Sequence, residues 1–351
     1  MRYLVNPSTD PWYNMSFDEY CLEQYPSNDC FFYLWRNRPS VIIGLNQNAF
    51  AEVNLGYLEA HDIRLARRVT GGGAVYHDLQ NLNFTFVGRG VSPEPMVSAL
   101  RSLGVPAELT GRNDIYVGGR KVSGYARRIW RDREIIHGTL MYDVDLDTLA
   151  QALDVPGSKL AVKGIASVRS RVANLKDFLP QFSCLDALQA ALQEILAAGD
   201  AQLPFEDFRR EEVQRIADTK FSTWDWLYGQ SREADLVRRA TLPCGTVEAR
   251  LCVDRGVLTV VEFVGDFLGS LPATALAARL VGLRFDRASL LSALAGLSAP
   301  DPSRPGLDPL GRAGQGFVGL DPDVAGRADR AVSAYFDGTP ASALLDLLFG
   351  A

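Results

Sequence analysis

The chain has 351 residues, of which 47% are hydrophobic and 22% charged, a composition typical of folded globular proteins, and its length exceeds that of one average domain. Its 36 basic and 42 acidic residues give a formal net charge of −6, which argues against a general nucleic-acid-binding protein because phosphate neutralisation needs a basic face. The five cysteines are odd in number and lack C-x-x-C spacing, so neither a disulfide framework nor a zinc site is expected.

The first part of the chain predicts a mixture of helices and strands. A helix is predicted between Pro11 and Pro26, a second over Pro95–Leu103, and a third over Ser183–Ala198, with Ser183 as its N-cap and Gly199 at its end. Apolar and β-branched runs predict the following strands: Phe31–Trp35, Val41–Gly44, Arg64–Val69, Asn83–Val87, Asp114–Val117, Lys121–Gly124 and Glu134–Tyr142.

The composition changes between Gly229 and Pro243, where a polar run is followed by a new set of elements. Two β-rich runs around the turn Asp254-Arg255-Gly256 predict a hairpin, and two helices follow over Leu271–Leu283 and Ala288–Leu297. A Pro/Gly-rich segment at about 299–326 predicts a loop. We therefore expect an α+β protein with a large domain over residues 1–240 and a small α+β domain over residues 244–351.

No basic segment with an apolar run opens the chain, and no apolar run approaches the length of a membrane span. A cytoplasmic protein without a membrane partner is therefore expected.

The segment RRVTGGGAVYHD, residues 67–78, carries the sharpest chemical signal. Its three consecutive glycines allow a close backbone approach to a ligand, and successive N–H groups in such a loop can hold a phosphate or carboxylate. The two arginines before the loop could supply positive charge. A flexible turn with a solvated arginine pair explains this segment equally well on its own. The segment is neither a Walker loop nor a dinucleotide fingerprint.

Three further segments each have two readings. Lys121, early in a strand amid small residues, suits a cation that faces an anionic ligand, although a solvent-facing lysine is the commoner case. His137 lies in an apolar strand, where a lone histidine is more often a satisfied core residue than a functional one. The recurrent basic residues of KGIASVRSRVANL, residues 163–175, form either a phosphate-facing or partner-facing surface or a solvated face.

In order and spacing, RRVTGGGAVYHD, GRNDI, GRKVSGYA, HGTLMYDVD and KGIASVRSRVANL resemble the motifs of lipoate–protein ligases. The opening DPWYNMSFDE and the segment TWDWLYGQ (223–230) also fit, so the resemblance covers about residues 1–235. It implies a biotin/lipoate ligase-like catalytic domain of mixed and antiparallel sheets packed with helices, followed by a small accessory domain. It also implies that free lipoate or octanoate is activated with ATP and that the acyl group is then transferred to a protein lysine.

The resemblance also implies roles for particular residues. Arg68 would bind phosphate, and Lys121 would be the catalytic residue, an electrostatic clamp on the carboxyl end of the acid and the phosphate. The acyl-adenylate would be held by the remaining loop residues Gly71, Gly72, Gly73, Ala74, Val75 and Tyr76. Further candidates are His77, Asn113, Asp114, Ser123, His137 and Gly138. Asp114 is the candidate contact for the metal of Mg-ATP.

The expected cofactors are ATP and Mg²⁺, with lipoate as the substrate. The expected partners are apo lipoyl domains, from E2 subunits of 2-oxoacid dehydrogenases and the glycine cleavage H protein, and the expected oligomeric state is a monomer.

Three alternatives remain. An octanoyl or lipoyl transferase of the same fold would need a cysteine thiolate, but residues 31–183 contain no cysteine. A biotin–protein ligase would carry a different glycine loop. The third alternative is a non-catalytic binding module.

Overall fold

The computed structural model describes residues 1–25, 30–110, 113–153, 171–203, 209–231, 234–297 and 323–350. The chain divides into two compact units. Unit 1 contains Met1–Gln47 and most of the chain from Leu58 to Leu227, and unit 2 contains Asn48–Tyr57 and Tyr228–Ala351. Most of the motif KGIASVRSRVANL and of the Pro/Gly-rich segment lies outside the described residues.

The strands are β1 (Arg2–Val5), β2 (Phe31–Trp35), β3 (Ser40–Ile43), β4 (Arg64–Arg67), β5 (Val75–His77), β6 (Asn81–Gly88), β7 (Ala107–Thr110), β8 (Asp114–Val117), β9 (Arg120–Trp130), β10 (Arg133–Met141), β11 (Ala234–Leu242), β12 (Gly245–Asp254) and β13 (Val257–Phe267). The helices are α1 (Pro11–Glu23), α2 (Ala49–Glu52), α3 (Leu55–Ala60), α4 (Glu94–Ser102), α5 (Leu146–Ala152), α6 (Leu185–Ala197), α7 (Arg210–Ile216), α8 (Trp224–Leu227), α9 (Ala273–Leu280), α10 (Arg287–Ala295), α11 (Val324–Tyr335) and α12 (Ala341–Phe349).

Unit 1 is built on a seven-stranded sheet in the order β1-β2-β6-β10-β9-β8-β7. The pair β1/β2 is parallel and all other neighbours are antiparallel, so the sheet is mixed. A second sheet has the order β4-β3-β5. All strands predicted from the sequence of this unit are present. β9 runs far beyond the predicted Lys121–Gly124, because its polar residues continue to pair with β10.

The central strand β6 alternates in polarity, which separates the two faces of the large sheet. Leu82, Phe84 and Phe86 join a hydrophobic core that also contains the buried faces of α4 and α6. Asn81, Asn83 and Thr85 point to the opposite face, where α1 packs. This polar row is buried, so it must be satisfied by protein or ligand atoms.

Two helix ends illustrate how the sequence sets local structure. Asp10 caps α1, since its side chain accepts hydrogen bonds from the backbone N–H groups of Trp12 and Tyr13. The predicted Ser183 cap of α6 is wrong, because the N-cap is Cys184 and makes no side-chain hydrogen bond. The predicted end is correct: Ala198 at φ 48° and Gly199 at φ 85° take left-handed conformations.

Unit 2 contains the antiparallel sheet β11-β12-β13 and the helices α9 to α12. The predicted hairpin and both predicted helices are present. β11 was not predicted, because Arg238 and Arg239 interrupt its apolar pattern. Arg238 is nevertheless buried, and its Nη2 donates to the Phe50 carbonyl at 3.2 Å. The α+β fold class, with a large mixed sheet and a small antiparallel one, is confirmed.

Candidate active site

A cavity of about 100 Å³ lies in unit 1, on the face of the large sheet that carries α1. It is lined by residues from both sheets and from α1: Met15, Trp35, Ile42, Arg68, Gly73, Ala74, Val75, His77, Asn83, Asn113, Lys121, Gly124, Tyr125, Ala126, His137, Gly138 and Thr139. A second cavity of about 410 Å³ is lined by Gly71 and Gly72 among others, and it shares Asn113, Tyr125 and Ala126 with the first. Residues predicted from four separate motifs thus meet at one place.

The glycine loop between β4 and β5 is held in place by the two residues that follow β3, Gly44 and Leu45. The Leu45 N–H donates to the Thr70 carbonyl at 2.8 Å, and Gly72 takes a left-handed φ of 97°. Gly44 makes this approach feasible, because a Cβ on Gly44 would lie 2.2 Å from the Gly72 carbonyl oxygen. Gly44, which directly follows β3, is the sequence signal for this requirement.

We expect Gly44→Ala to lower the free energy of unfolding by about 1–3 kcal/mol, because the added methyl group overlaps backbone that cannot rotate away. Urea unfolding monitored by tryptophan fluorescence measures the loss. Gly71→Ala is the matched control, since a Cβ at Gly71 would meet no heavy atom within 4 Å. Equal losses in both variants would contradict the close approach of the loop to Gly44.

The two arginines that precede the loop have different environments. Arg67 has no exposed surface, and its guanidinium donates to carbonyl oxygens of residues 44, 45, 47, 226 and 227. Its role is therefore structural, and the expectation that both arginines supply charge to a ligand is wrong for Arg67. Arg68 lines the cavity.

The Arg68 guanidinium organises the glycine loop. It donates to the carbonyls of Ile42 at 3.0 Å, Gly71 at 2.7 Å and Gly73 at 2.8 Å, and to Thr70 Oγ1 at 3.1 Å. Burial lowers the pKa of Arg68 to about 10, so the group stays protonated at neutral pH. The carbonyls of Gly71 and Gly73 therefore point toward Arg68.

Lys121 lies at the start of β9, opposite Tyr116 of β8. Its Nζ is 2.7 Å from Asp114 Oδ1, and both side chains are partly exposed, at 32% and 24%. Gly124 leaves room for the ammonium, because a Cβ there would lie 3.0 Å from Nζ. Asn113 holds the neighbouring backbone, with its Nδ2 donating to the Tyr125 carbonyl at 3.0 Å.

His137 is buried, and both ring nitrogens have partners. Its Nδ1 lies 2.5 Å from Asp18 Oδ2, and its Nε2 lies 2.7 Å from Thr70 Oγ1. Since a carboxylate only accepts, Nδ1 donates to Asp18, and Nε2 accepts from Thr70 when the ring is neutral. His137 is thus a satisfied core residue and also a cavity residue.

Gly138, next in the chain, is required by packing. A Cβ on Gly138 would lie 2.5 Å from the Phe84 ring.

His77 has one ring nitrogen that is fixed and one that is free. Asn37 Nδ2 donates to His77 Nδ1 at 3.1 Å, and His77 Nε2 is buried with no hydrogen-bond partner among the residues that the structure describes. Burial, helped by the positive charge of Arg68, lowers the pKa of His77 to about 3. The ring is therefore neutral, with its hydrogen on Nε2.

The remaining predicted residues lie beside the cavities. Tyr76 and Ser123 are buried and line neither of the two. Asp114 reaches the first cavity through its ion pair with Lys121. Asp18, Trp35 and Asn83 were missed. The alternation of polar and apolar residues in NLNFTF, residues 81–86, is the signal that could have found Asn83.

Within the described ranges, no three side chains of His, Cys, Asp or Glu are grouped as ligands for a metal ion. No helix in the part of the chain that the structure describes is both long and apolar enough to cross a membrane.

Comparisons with known proteins match both parts of the chain. Residues 10–196 match the family model of the lipoyl protein ligase A/B catalytic domain, and residues 231–301 match that of the bacterial lipoate protein ligase C-terminus. Lipoate–protein ligase 1 of Staphylococcus aureus strain Mu50 is 39% identical over 300 residues, which cover 82% of this chain and 91% of that protein.

Two solved structures are also similar to the chain. One is a bipartite lipoate protein ligase from Thermoplasma acidophilum, solved in a study of that ligase and its E2 lipoyl domain (TM-score 0.57, 30% identity, 66% of this chain and 98% of that chain covered). The other is lipoate–protein ligase A bound with ATP (TM-score 0.55, 30% identity, 65% and 98% covered).

The fold, the cavity and these matches define an acyl-activating protein ligase with a catalytic part and a C-terminal part. The chain belongs to the lipoate–protein ligase family. Its function is the ATP-dependent ligation of lipoate to protein, as the sequence motifs predict.

Proposed function

We propose that both half-reactions take place at the two adjoining cavities of unit 1, within the predicted catalytic domain of residues 1–240. In the first, a carboxylate oxygen of lipoate attacks the α-phosphorus of ATP, and the bond to pyrophosphate breaks with its electron pair on pyrophosphate. In the second, a neutral lysine amine of the acceptor attacks the acyl carbonyl, AMP leaves, and the amine loses a proton. No enzyme nucleophile is needed.

Lys121 is the proposed electrostatic clamp. Its ammonium is held by Asp114 at 2.7 Å in a cavity shared with the glycine loop, and this juxtaposition carries the proposal. Negative charge grows between the carboxylate and the α-phosphate during the first step, and a fixed cation there stabilises the transition state more than the ground state.

The glycine loop is the proposed anion cradle. Arg68 turns the Gly71 and Gly73 carbonyls toward itself, so the N–H groups of Gly71, Gly72 and Gly73 can receive phosphate or carboxylate oxygens. Arg68 then acts mainly by positioning the loop and by adding its charge at close range. Ala74 and Val75 form the wall of the cavity next to the loop.

Mg²⁺ would enter as Mg-ATP, with Asp114 as the proposed contact. Mg²⁺ bound to substrate phosphates typically uses one or two protein carboxylates and keeps several waters, so a single carboxylate beside Lys121 fits this need. When bound, the ion would share the neutralisation of the triphosphate with Lys121 and Arg68.

The proposed acceptors are apo lipoyl domains of E2 subunits and the glycine cleavage H protein, with the ligase acting as a cytoplasmic monomer and residues 244–351 as an accessory domain. The ligase studied with its E2 lipoyl domain supports this class of acceptor.

The positions of the cysteines argue against an octanoyl or lipoyl transferase. None lines either cavity, and burial, together with the charge of Asp18, raises the pKa of the nearby Cys21 thiol well above its usual range. A thiolate at Cys21 is therefore disfavoured.

The deciding experiment is intact-mass analysis of an apo lipoyl domain incubated with this protein, lipoate, ATP and Mg²⁺. We expect the mass of one lipoyl group to be added, and only when ATP is present. Transfer from an acyl carrier protein thioester without ATP would instead establish a transferase. A protein that modifies nothing under either condition would support a binding module.

A further inference from the structure

The second cavity, of about 410 Å³, lies between the surface of unit 1 and the first cavity. Gly72 and Arg127 line it and are exposed to solvent. It shares three lining residues with the first cavity, which Lys121 lines. In the proposed second half-reaction, a lysine side chain of another protein must reach the acyl carbonyl beside Lys121. The second cavity is an open route for that side chain.

The hairpin of β9 and β10 extends from the second cavity into solvent. Arg127 and Ile136, which are paired across the two strands, both line this cavity. Because side chains two residues apart on a strand share a face and lie about 7 Å apart, Ile129 is the next residue outward on the face of Arg127. Ile129 is 57% exposed, and Trp130, on the opposite face, is 37% exposed. We call residues 127–133 the hairpin tip.

The hairpin tip is a basic surface on an acidic chain. It contains four arginines and one acidic residue, whereas the whole chain has a formal net charge of −6. Two of the arginines pair with Glu134 and Glu23. Arg131 is exposed and, among the residues that the structure describes, forms no ion pair. The hairpin tip therefore has positive charge left for a partner.

These side chains are typical of a protein-binding surface. Tryptophan and arginine are the residues that most often carry binding energy at interfaces between proteins. Positive charge at the edge of an interface speeds association with an acidic partner and suppresses wrong partners. The acceptor of the second half-reaction is the protein that must come to this face of unit 1, because its lysine enters there.

We propose that the hairpin tip is the docking surface for the acceptor protein. An acidic face of the acceptor domain contacts Ile129, Trp130 and Arg131, and its lysine passes through the second cavity to the carbonyl beside Lys121. The proposal rests on the proposed function of the two cavities. It goes further by assigning acceptor binding to residues that line neither of them.

The two half-reactions, measured separately, test the docking surface. We expect Arg131→Glu to lower kcat/KM for an apo lipoyl domain about tenfold and Ile129→Ser about fivefold, measured by intact-mass time courses. Lipoate-dependent ATP–pyrophosphate exchange should stay at the parent rate in both variants, because it needs no acceptor. Hydroxamate formation with hydroxylamine in place of the domain should also be unchanged, because a small nucleophile needs no docking surface.

Matched variants control for charge and for exposed apolar surface. Lys176→Glu reverses a charge at the opposite end of β10, where Lys176 pairs with Asp143, and Leu109→Ser removes a 40% exposed side chain from β7. We expect neither variant to change kcat/KM for the lipoyl domain. Arg131→Lys keeps the charge and should retain most of the parent value.

Salt provides an independent measurement on the same surface. Raising NaCl from about 0.02 to about 0.2 M should lower kcat/KM of the parent protein for the lipoyl domain severalfold, since exposed charges are screened. The fall should be smaller in Arg131→Glu, and exchange should not follow it. A parent value that is independent of salt would contradict an acidic partner.

The outcomes separate this inference from the function on which it rests. Unchanged transfer to the lipoyl domain in Arg131→Glu and Ile129→Ser would refute the docking surface, and so would an equal fall in transfer and exchange. With transfer unchanged, a dimer that Ile129→Ser dissociates would assign the hairpin tip to a second copy of this chain, and binding to anionic phospholipid vesicles that Arg131→Glu abolishes would assign it to a membrane surface. Absence of exchange in the wild-type protein would refute the ligase function itself.

Discussion

Lys121→Ala is expected to lower kcat/KM for lipoate-dependent ATP–pyrophosphate exchange by about 10²–10³-fold, the range found when one preorganised transition-state donor is removed. The ammonium lies in the cavity at 2.7 Å from Asp114, so its position is set before the substrates bind. Removing it leaves Asp114 without its cation, and the repulsion between that carboxylate and the substrate anions adds to the loss. Exchange kinetics with a fixed excess of Mg-ATP measure the effect.

The control for Lys121→Ala is Lys176→Ala. Lys176 also forms an ion pair, with Asp143 at 2.6 Å, but it is 49% exposed and lines neither cavity. We expect its loss to change kcat/KM less than twofold, because solvated pairs contribute little. Exchange at the parent rate in Lys121→Ala would show that the clamp is elsewhere.

Lys121→Arg tests whether charge alone suffices. The space left by Gly124 suits a compact ammonium, since even a Cβ at Gly124 would lie 3.0 Å from Nζ. A guanidinium is larger and planar, so we expect activity well below that of the parent protein.

Arg67→Met is expected to lower the free energy of unfolding by about 3–5 kcal/mol, the largest stability loss that we predict. The side chain has no exposed surface, and its guanidinium satisfies five backbone carbonyl oxygens. Two of them belong to Trp226 and Leu227, so one side chain connects β4 to the end of unit 1. Methionine fills similar space but leaves these acceptors unpaired.

Equilibrium urea unfolding at pH 7.5 measures the effect of Arg67→Met, and Arg215→Met is its control. Among the described residues, the Arg215 side chain pairs with Glu212 on its own helix, and it is 59% exposed, so its loss should change the free energy of unfolding very little. A loss in Arg67→Met no greater than in the control would mean that the carbonyl groups find other donors. Because Arg67 lies outside the cavity lining, folded variant protein should retain adenylation.

Local patterns in the sequence determined the elements and the central motif residues. Seven of the ten strands of unit 1, helix α6 and the hairpin of unit 2 are readable, because apolar periodicity and turn residues act over a few positions. The short strands β1, β5 and β7 were not predicted. The glycine loop, Lys121 and His137 are found from their motifs, and they meet at one cavity.

Only the tertiary structure decided what the individual polar groups do. Arg67 and Arg68 are adjacent arginines with different roles. Arg67 binds backbone carbonyls at the end of unit 1, and Arg68 organises the glycine loop. The difference arises because successive residues at the end of a strand point to opposite sides. Asp18 and Thr70 meet at His137 from distant parts of the chain.

The hydrogen position on the His77 ring likewise depends on Asn37, which lies in another part of the chain, and on burial. A motif specifies which groups are present. Long-range pairing and the exclusion of water decide which of those groups are satisfied by the protein and which are left for the substrate.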